Sequence, residues 1–317
     1  MLPVADFAII TACIFGLYFG AKWIVAAAVG IARDFGLSDL VIGLTIVAIG
    51  TSTPEFAVTV SSALRQEIDI AIGNVIGSNM INVGFILGGV AFLGAVPVVQ
   101  KLARRDGAVL IGSTILLVFF FFDGWFAWWE AGILLAILVF YISALIATQD
   151  VTRPLPPLVH TQLGDIPWFF IGSALVVACS NLFVASATNV AGYFGWTTWM
   201  VGVTIVALGT SLPEIMTSSI AVGNGRPGIS VGNLIGSNLF NLLGVMGLAG
   251  VLSVGGGMTL SQILIESSWT LLLLMLTVLW MMRSDWEISR TEGAILFLLA
   301  LASWIFNFSD QTLIGLF

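Results

Sequence analysis

Histidine and charge are what this sequence has least of. One histidine, His160, stands in 317 residues, and Asp, Glu, Lys and Arg together make up 9% of the chain, where a soluble domain has roughly a quarter. His160 lies in a polar connection and no HExxH segment exists, so no Ser/His or Cys/His pair can form within an apolar interior. The chain is therefore not expected to be an enzyme. The two cysteines, Cys13 and Cys179, sit in apolar runs without metal-ligand or disulfide spacing and read as small core residues. A basic, cleavable leader is also missing, and MLPVADFAII reads as the start of a retained helix. No resident cofactor, nucleic-acid partner or obligatory protein partner is implied.

Apolar surface fills the space that charge leaves. Hydrophobic residues make up 59% of the chain and its mean hydropathy is +1.09, the composition of an integral membrane protein whose partner is the lipid bilayer. At roughly 20 residues per span plus short turns, the expected fold is all-α with about ten transmembrane helices. They are placed near residues 4–32, 38–64, 69–97, 106–122, 126–148, 166–192, 197–222, 228–253, 260–282 and 289–312. The Pro-rich stretch TQDVTRPLPPLVHTQLGD is the natural link. It divides the chain into a first five-helix repeat at 1–148, a cytoplasmic linker at 149–165 and a second repeat at 166–317. An odd number of helices per half makes the second half enter from the opposite side, giving an inverted repeat.

The few charges orient this arrangement. With an external N-terminus, the cytoplasmic loops hold Arg33, Lys101, Arg104, Arg105, Arg153, Arg226, Arg283 and Arg290, while the opposite loops hold only Arg65. That bias satisfies the positive-inside rule and puts both termini outside the cytoplasm of a plasma (prokaryotic inner) membrane. Trp125, Trp128, Trp129, Trp196 and Trp199 read as interfacial belts. Asp123, Glu130, Asp165 and Glu266 read as solvated acidic ends.

Two stretches say nearly the same thing. GLTIVAIGTSTPE and GNVIGSNMIN in the first half recur as GVTIVALGTSLPE and GNLIGSNLFN in the second, each position 159 residues later, as Glu55 does at Glu214 and Asn82 at Asn241. A constant offset over the whole segment marks an internal repeat. Each copy carries one Glu in an otherwise uncharged apolar run: Glu55 between Asp39 and Arg65, Glu214 between Asp165 and Arg226. A carboxylate at mid-bilayer costs at least ~2.5–3.5 kcal/mol and so faces a cavity, a partner or a cation. Pro54 and Pro213 precede these residues and lack the N–H that would bond the carbonyls of Gly50 and Gly209. Carbonyls near Ala48–Thr51 and Ala207–Thr210 are thereby freed, beside the hydroxyls of Thr51, Ser52, Thr210 and Ser211. Irregular backbone in a bilayer is tolerated only inside protein or along a watery cavity. Ser78 with Asn82, and Ser237 with Asn241, are four apart and share one helix face.

Face to face, the two copies form a cage of hard oxygen donors with two carboxylates, and such a set favours Na⁺ or Ca²⁺ over zinc or copper. At these residues the chain resembles the calcium/cation antiporter superfamily, and within it the sodium/calcium exchanger family of prokaryotic type. The resemblance covers residues 35–90 and 194–249 on the GTSTPE/GSNMIN and GTSLPE/GSNLFN pairs. It implies Ca²⁺ exchanged for Na⁺ by alternating access, with ions held mid-membrane between helices 2, 3, 7 and 8. Carried over by position, Glu55 and Glu214 would hold Ca²⁺. Thr51, Thr210, Ala48 and Ala207 would offer backbone oxygen, and Ser52, Ser211, Ser78, Ser237, Asn82 and Asn241 would complete the Na⁺ and Ca²⁺ sites. Asn241 stands where family members often have Asp. Rival readings are a proton-coupled Ca²⁺ antiporter, since a buried Glu can carry a proton, a K⁺-dependent one, a passive channel, or Gly and Ser serving only as helix-packing residues.

Overall fold

The structure, a computed structural model, describes residues 4–34, 38–148, 165–194, 207–253 and 255–314. Ten helical stretches run through them: α1 (Val4–Asp34), α2 (39–64), α3 (Ile68–Leu93), α4 (102–120), α5 (Trp128–Ala147), α6 (Asp165–Tyr193), α7 (207–223), α8 (Pro227–Leu252), α9 (Gln262–Ser284) and α10 (Arg290–Ile314). Their ends lie within a few residues of the sequence expectation, except that α7 is described only from residue 207 and α4 begins earlier. Residues 149–164 of the expected linker 149–165, with His160, and the tryptophans at 196 and 199 lie outside the described residues, and Asp165 begins α6. Among the described residues six helices are long and apolar enough to span a bilayer alone, and α2 passes the same test as Leu40–Thr51 plus Thr53–Leu64, bent by 50°.

Burial sets the architecture. Of their most apolar stretches, α3 and α8 bury 78% and 83%, whereas α1, α5, α6 and α9 bury between 22% and 39%. The helices bearing the GSNxxN motifs are thus the centre, and the outer helices turn apolar side chains such as Phe119, Phe140, Leu273 and Trp280 outward, as a lipid solvent permits. Around the centre the packing is paired. α1 lies along α6, the C-terminal half of α3 packs on α10, and the C-terminal half of α8 packs on α5. The last two are equivalent contacts, and the first joins the equivalent helices of the two halves to each other.

Four short strands, invisible to hydropathy, report the direction of the helices. β1 (Val96–Pro97) pairs antiparallel with β4 (Glu287–Ile288), and β2 (Trp125–Ala127) with β3 (Gly257–Thr259). β1 and β4 follow α3 and α9, both odd-numbered crossings; β2 and β3 follow α4 and α8, both even. Each pair brings together helix ends separated by an even number of crossings, as alternating helix directions in an inverted repeat would place them. One expected solvated acid is something else: Glu130 is buried and its Oε2 accepts the backbone N–H of Ala127 at 2.8 Å, capping α5.

The close fit at the centre depends on small residues. A Cβ added at Gly236 of α8 would stand 2.6–2.8 Å from the Leu44 backbone of α2, and one at Gly232 would stand 2.8 Å from the Leu40 carbonyl. Backbone cannot move aside as a side-chain tip can, so Gly236→Val should lower the thermal midpoint in detergent by several degrees, as overpacking costing about 1–3 kcal/mol would. Gly112→Val, with open space around an exposed position, should leave it unchanged. Equal effects of the two would contradict this packing.

Candidate ion-binding site

Proline opens both broken helices in the same way. Pro54 and Pro213 occupy the first positions of the half-helices Thr53–Leu64 and Leu212–Gly223, where their missing N–H has no intrahelical acceptor to lose. Just before them Ser52 (φ −81°, ψ 11°) and Ser211 (φ −87°, ψ 2°) leave helical geometry for the sparsely allowed bridge region. Glu55 and Glu214 then fall in the first turn of a half-helix, where the positive end of the helix dipole favours a carboxylate. The carbonyls that proline releases do not stay free. Gly50 O accepts the Thr53 hydroxyl at 3.0 Å, and Gly209 O accepts the hydroxyl of Ser180 on α6. Ala48 O accepts Ser52 N–H at 3.0 Å and the Thr51 hydroxyl at 3.3 Å.

The two breaks serve each other. Ser52 donates to Glu214 Oε1 at 3.0 Å, and Ser211 donates to Glu55 Oε1 at 3.3 Å. Each serine lies three residues before its own glutamate and binds the other one instead. Ser237 adds a second donor to Glu214 Oε1 at 3.3 Å and lies 3.4 Å from Thr51 Oγ1. Among the described residues, hydroxyls are the side-chain donors to these carboxylates, and no basic side chain joins them. Thr51, Ser52, Glu55, Ser78, Asn82, Ser211, Glu214, Ser237 and Asn241 are fully buried, Thr210 is nearly so, and Ala48 is buried beside them. Ala207 contributes described backbone at the start of Ala207–Thr210.

Sequence reasoning missed a supporting layer. Thr51 Oγ1 donates to Asn233 Oδ1 at 3.1 Å, and Asn233 Nδ2 donates to Ser218 Oγ at 3.2 Å. The equivalent chain runs from Thr210 to Asn74 at 3.5 Å and from Asn74 to Thr59 at 3.0 Å, with Asn74 also bonding Glu55 O at 3.3 Å. The stripe Ser78–Asn82, continued one turn back at the same spacing, would have reached Asn74, and likewise Asn233 from Ser237. Asn82 and Asn241 themselves are second residues of π-helical segments, Ile81–Leu87 and Phe240–Val245, a local widening that recurs at functional sites.

What remains unpaired is informative. Glu55 Oε2, Glu214 Oε2, Ser78 Oγ, Asn82 Oδ1 and Asn241 Oδ1 are buried without a hydrogen-bond partner. Native interiors leave few such atoms, and an unpaired carboxylate oxygen in a low dielectric is especially costly. Oxygens of this kind suit a cation. Among the described residues no group of three or more His, Cys, Asp or Glu side chains is arranged to hold a metal ion.

The family described as "Sodium/calcium exchanger protein" matches residues 6–147 and 165–309 of this chain. Putative antiporter CaxA of Alkalimonas amylolytica is 33% identical over 295 residues, spanning 88% of this chain and 91% of that one. Sodium/calcium exchanger MaX1 of Methanosarcina acetivorans is 30% identical, spanning 90% of this chain and 95% of that one. Among solved structures, the sodium-calcium exchanger NCX_Mj soaked with Na⁺ and Ca²⁺ superposes with a TM-score of 0.82 at 27% identity, covering 96% of this chain and 97% of that one.

The supporting layer makes a direct prediction. Asn233→Ala leaves the buried hydroxyls of Thr51 and Ser218 without that partner and should destabilise the purified protein by about 1–3 kcal/mol, read as a lower thermal midpoint in detergent. Asn233→Asp, which keeps the acceptor for Thr51, should lose less in Na⁺-containing buffer; an unchanged midpoint for the alanine variant would remove Asn233 from the network.

Proposed function

The chain belongs to the sodium/calcium exchanger protein family, and from that premise we propose that it is a secondary antiporter exchanging Na⁺ for Ca²⁺ by alternating access. The observation that carries this reading is the reciprocal pair Ser52–Glu214 and Ser211–Glu55, each carboxylate keeping its Oε2 unpartnered. Glu55 and Glu214 are the charged ligands. The oxygens of Ser78, Asn82 and Asn241 complete the cage together with Ser52, Ser211, Ser237 and the hydroxyl or backbone oxygens of Thr51, Thr210, Ala48 and Ala207. The cargo is Ca²⁺ or Na⁺, and the protein's part is to replace their water with fixed oxygens.

Charge arithmetic turns this cage into an exchanger. Two ionised glutamates supply two negative charges, which one Ca²⁺ or two Na⁺ neutralise. An empty doubly negative cage would have to cross the occluded state dehydrated, at a high desolvation cost. A loaded one crosses nearly neutral. Return without an ion is therefore suppressed, and one cation leaves only when another replaces it. The halves 1–148 and 166–317, joined through 149–165, are the two elements whose relative motion changes access. The excess of Lys and Arg in the loops after odd-numbered helices supports a plasma-membrane (prokaryotic inner-membrane) protein with both termini outside the cytoplasm.

Everted vesicles loaded with ⁴⁵Ca²⁺ should release it under a Na⁺ gradient alone; release under a pH gradient only would transfer the assignment to proton exchange, and a strict K⁺ requirement to the K⁺-dependent form. Glu55→Gln or Glu214→Gln keeps the shape and removes half the site charge. Loss of one partner of a buried ionic contact costs ~3–5 kcal/mol, so Ca²⁺ affinity should fall on the order of 100-fold or more. Wild-type exchange in either well-folded variant would contradict the role given to that carboxylate. An impermeant thiol reagent applied outside should reach cysteines placed at Arg65 and Gly124 and spare those at Arg104 and Arg283; the reverse pattern would invert the orientation.

A further inference from the structure

The cage is built from two copies of one motif, yet its hydrogen bonds are not symmetric. Three links occur in both copies: serine to opposite glutamate, threonine to opposite asparagine, and, within each half, asparagine to the hydroxyl beyond the glutamate. A fourth occurs once. Asn82 Nδ2 of α3 donates to Asn238 Oδ1 of α8 at 3.2 Å. The equivalent partners, 159 positions away in each case, are Asn241 of α8 and Asn79 of α3. Both amides are fully buried, and neither the nitrogen nor the oxygen of either one has a partner.

Identical chemistry is available to both pairs, so composition does not explain why one bond is made and its equivalent is not. Geometry must. The bond has a defined effect on an ion ligand, because an amide can offer a cation only its oxygen. Donating Nδ2 to Asn238 fixes the Asn82 side chain and leaves Oδ1, which has no protein partner, for the cage. Asn241 has no such restraint. In an inverted repeat, the opposite-facing state is reached when the two halves exchange conformations.

We propose that Asn238 and Asn79 are alternating positioning residues, each orienting the ligand amide of the opposite motif in one access state: Asn238 holds Asn82 in the state seen here, and Asn79 holds Asn241 in the state of opposite access. The inference rests on the reading of Asn82 and Asn241 as ion ligands in an alternating-access carrier. Its content is that the two bonds are mutually exclusive and that their exchange accompanies reorientation. Neither positioning residue needs to touch the ion.

A two-residue cycle tests this. Cys13 and Cys179 are replaced by serine, and single reporters are introduced one at a time by Ser62→Cys on α2 and Ala221→Cys on α7. These equivalent positions lie near the far ends of the two half-helices. Impermeant maleimide is applied from each face of reconstituted vesicles in the absence of Ca²⁺, and the ratio of the two labelling rates reads the balance of access states. Asn238→Ala should shift that ratio in one direction and Asn79→Ala in the other, each by about 5-fold, the equivalent of one net hydrogen bond. The double variant should return to within about 2-fold of the parent, because both states then lose the same bond. A purely structural role would lower the thermal midpoint of every variant without opposed shifts. Shifts in one common direction, no shift, or a double variant that departs further than either single would overturn the proposal. Asn→Ser at both positions, too short to reach the partner, replaces any alanine variant that is not recovered as a monodisperse protein. Labelling requires no transport, so Na⁺-driven ⁴⁵Ca²⁺ flux in the parent separates failure of the exchange reading from failure of this one.

Discussion

Two carboxylates are carried into the centre of a membrane protein with no basic side chain among the described residues to receive them, and the rest of the structure answers that constraint. Glu55 and Glu214 are fully buried, where an isolated ionised group would be prohibitively expensive. The fold supplies partial compensation from three sources: a half-helix N-terminus behind each carboxylate, a serine from the opposite break, and a supporting amide one layer out. None of these is a full positive charge. The compensation is incomplete in the physical sense that one oxygen of each carboxylate stays unpaired, and on the function proposed above a mobile cation completes a site left short by that amount. A lysine in the same place would have given a stable protein and no transporter.

The demand for oxygens at mid-membrane explains the unusual local backbone. An unbroken helix spends its carbonyls on its own ladder and directs its side chains outward at fixed spacing. Proline at the start of the half-helices and π segments in α3 and α8 interrupt both regularities. Such interruptions are tolerated because α3 and α8 are the most enclosed of the six long apolar helices described and because glycine lets α8 approach the α2 backbone. Both α1 and α6 pack beside the breaks, and Ser180 of α6 also takes up the Gly209 carbonyl. Cage chemistry, central position and close packing are in this way one requirement met at three scales.

Much of this was legible in the sequence, for identifiable reasons. Long apolar runs fix helix number in a bilayer, an exact offset between Glu55 and Glu214 reveals the repeat, and a charged residue next to proline in an apolar run has few explanations. Other features carry no comparable signal. Ser52 lies nearer in sequence to Glu55, but the break turns it toward Glu214, so the crossing of the serine bonds depends on tertiary geometry. Strands of two or three residues are too short for an alternating pattern, and a π segment adds a turn's irregularity without changing hydropathy. The carbonyls expected to be free at Gly50 and Gly209 are met by Thr53 and Ser180, the second of them on another helix. Glu130 looked like a solvated end and is a buried cap, because burial of a helix start is decided by what packs over it. Asn74 and Asn233 lie on the same spacing as the stripe, but an uncharged amide in an apolar helix carries a weaker signal than a carboxylate, because its burial costs less.

The central claim is that one cage serves both ions. Equilibrium binding of ⁴⁵Ca²⁺ to the purified protein, measured across a series of Na⁺ concentrations, tests it most directly. A shared cage with two carboxylates predicts about one Ca²⁺ per chain, displaced completely by Na⁺, with an apparent affinity that falls more steeply than the first power of the Na⁺ concentration. Simultaneous binding of Ca²⁺ and Na⁺ without mutual displacement would contradict it.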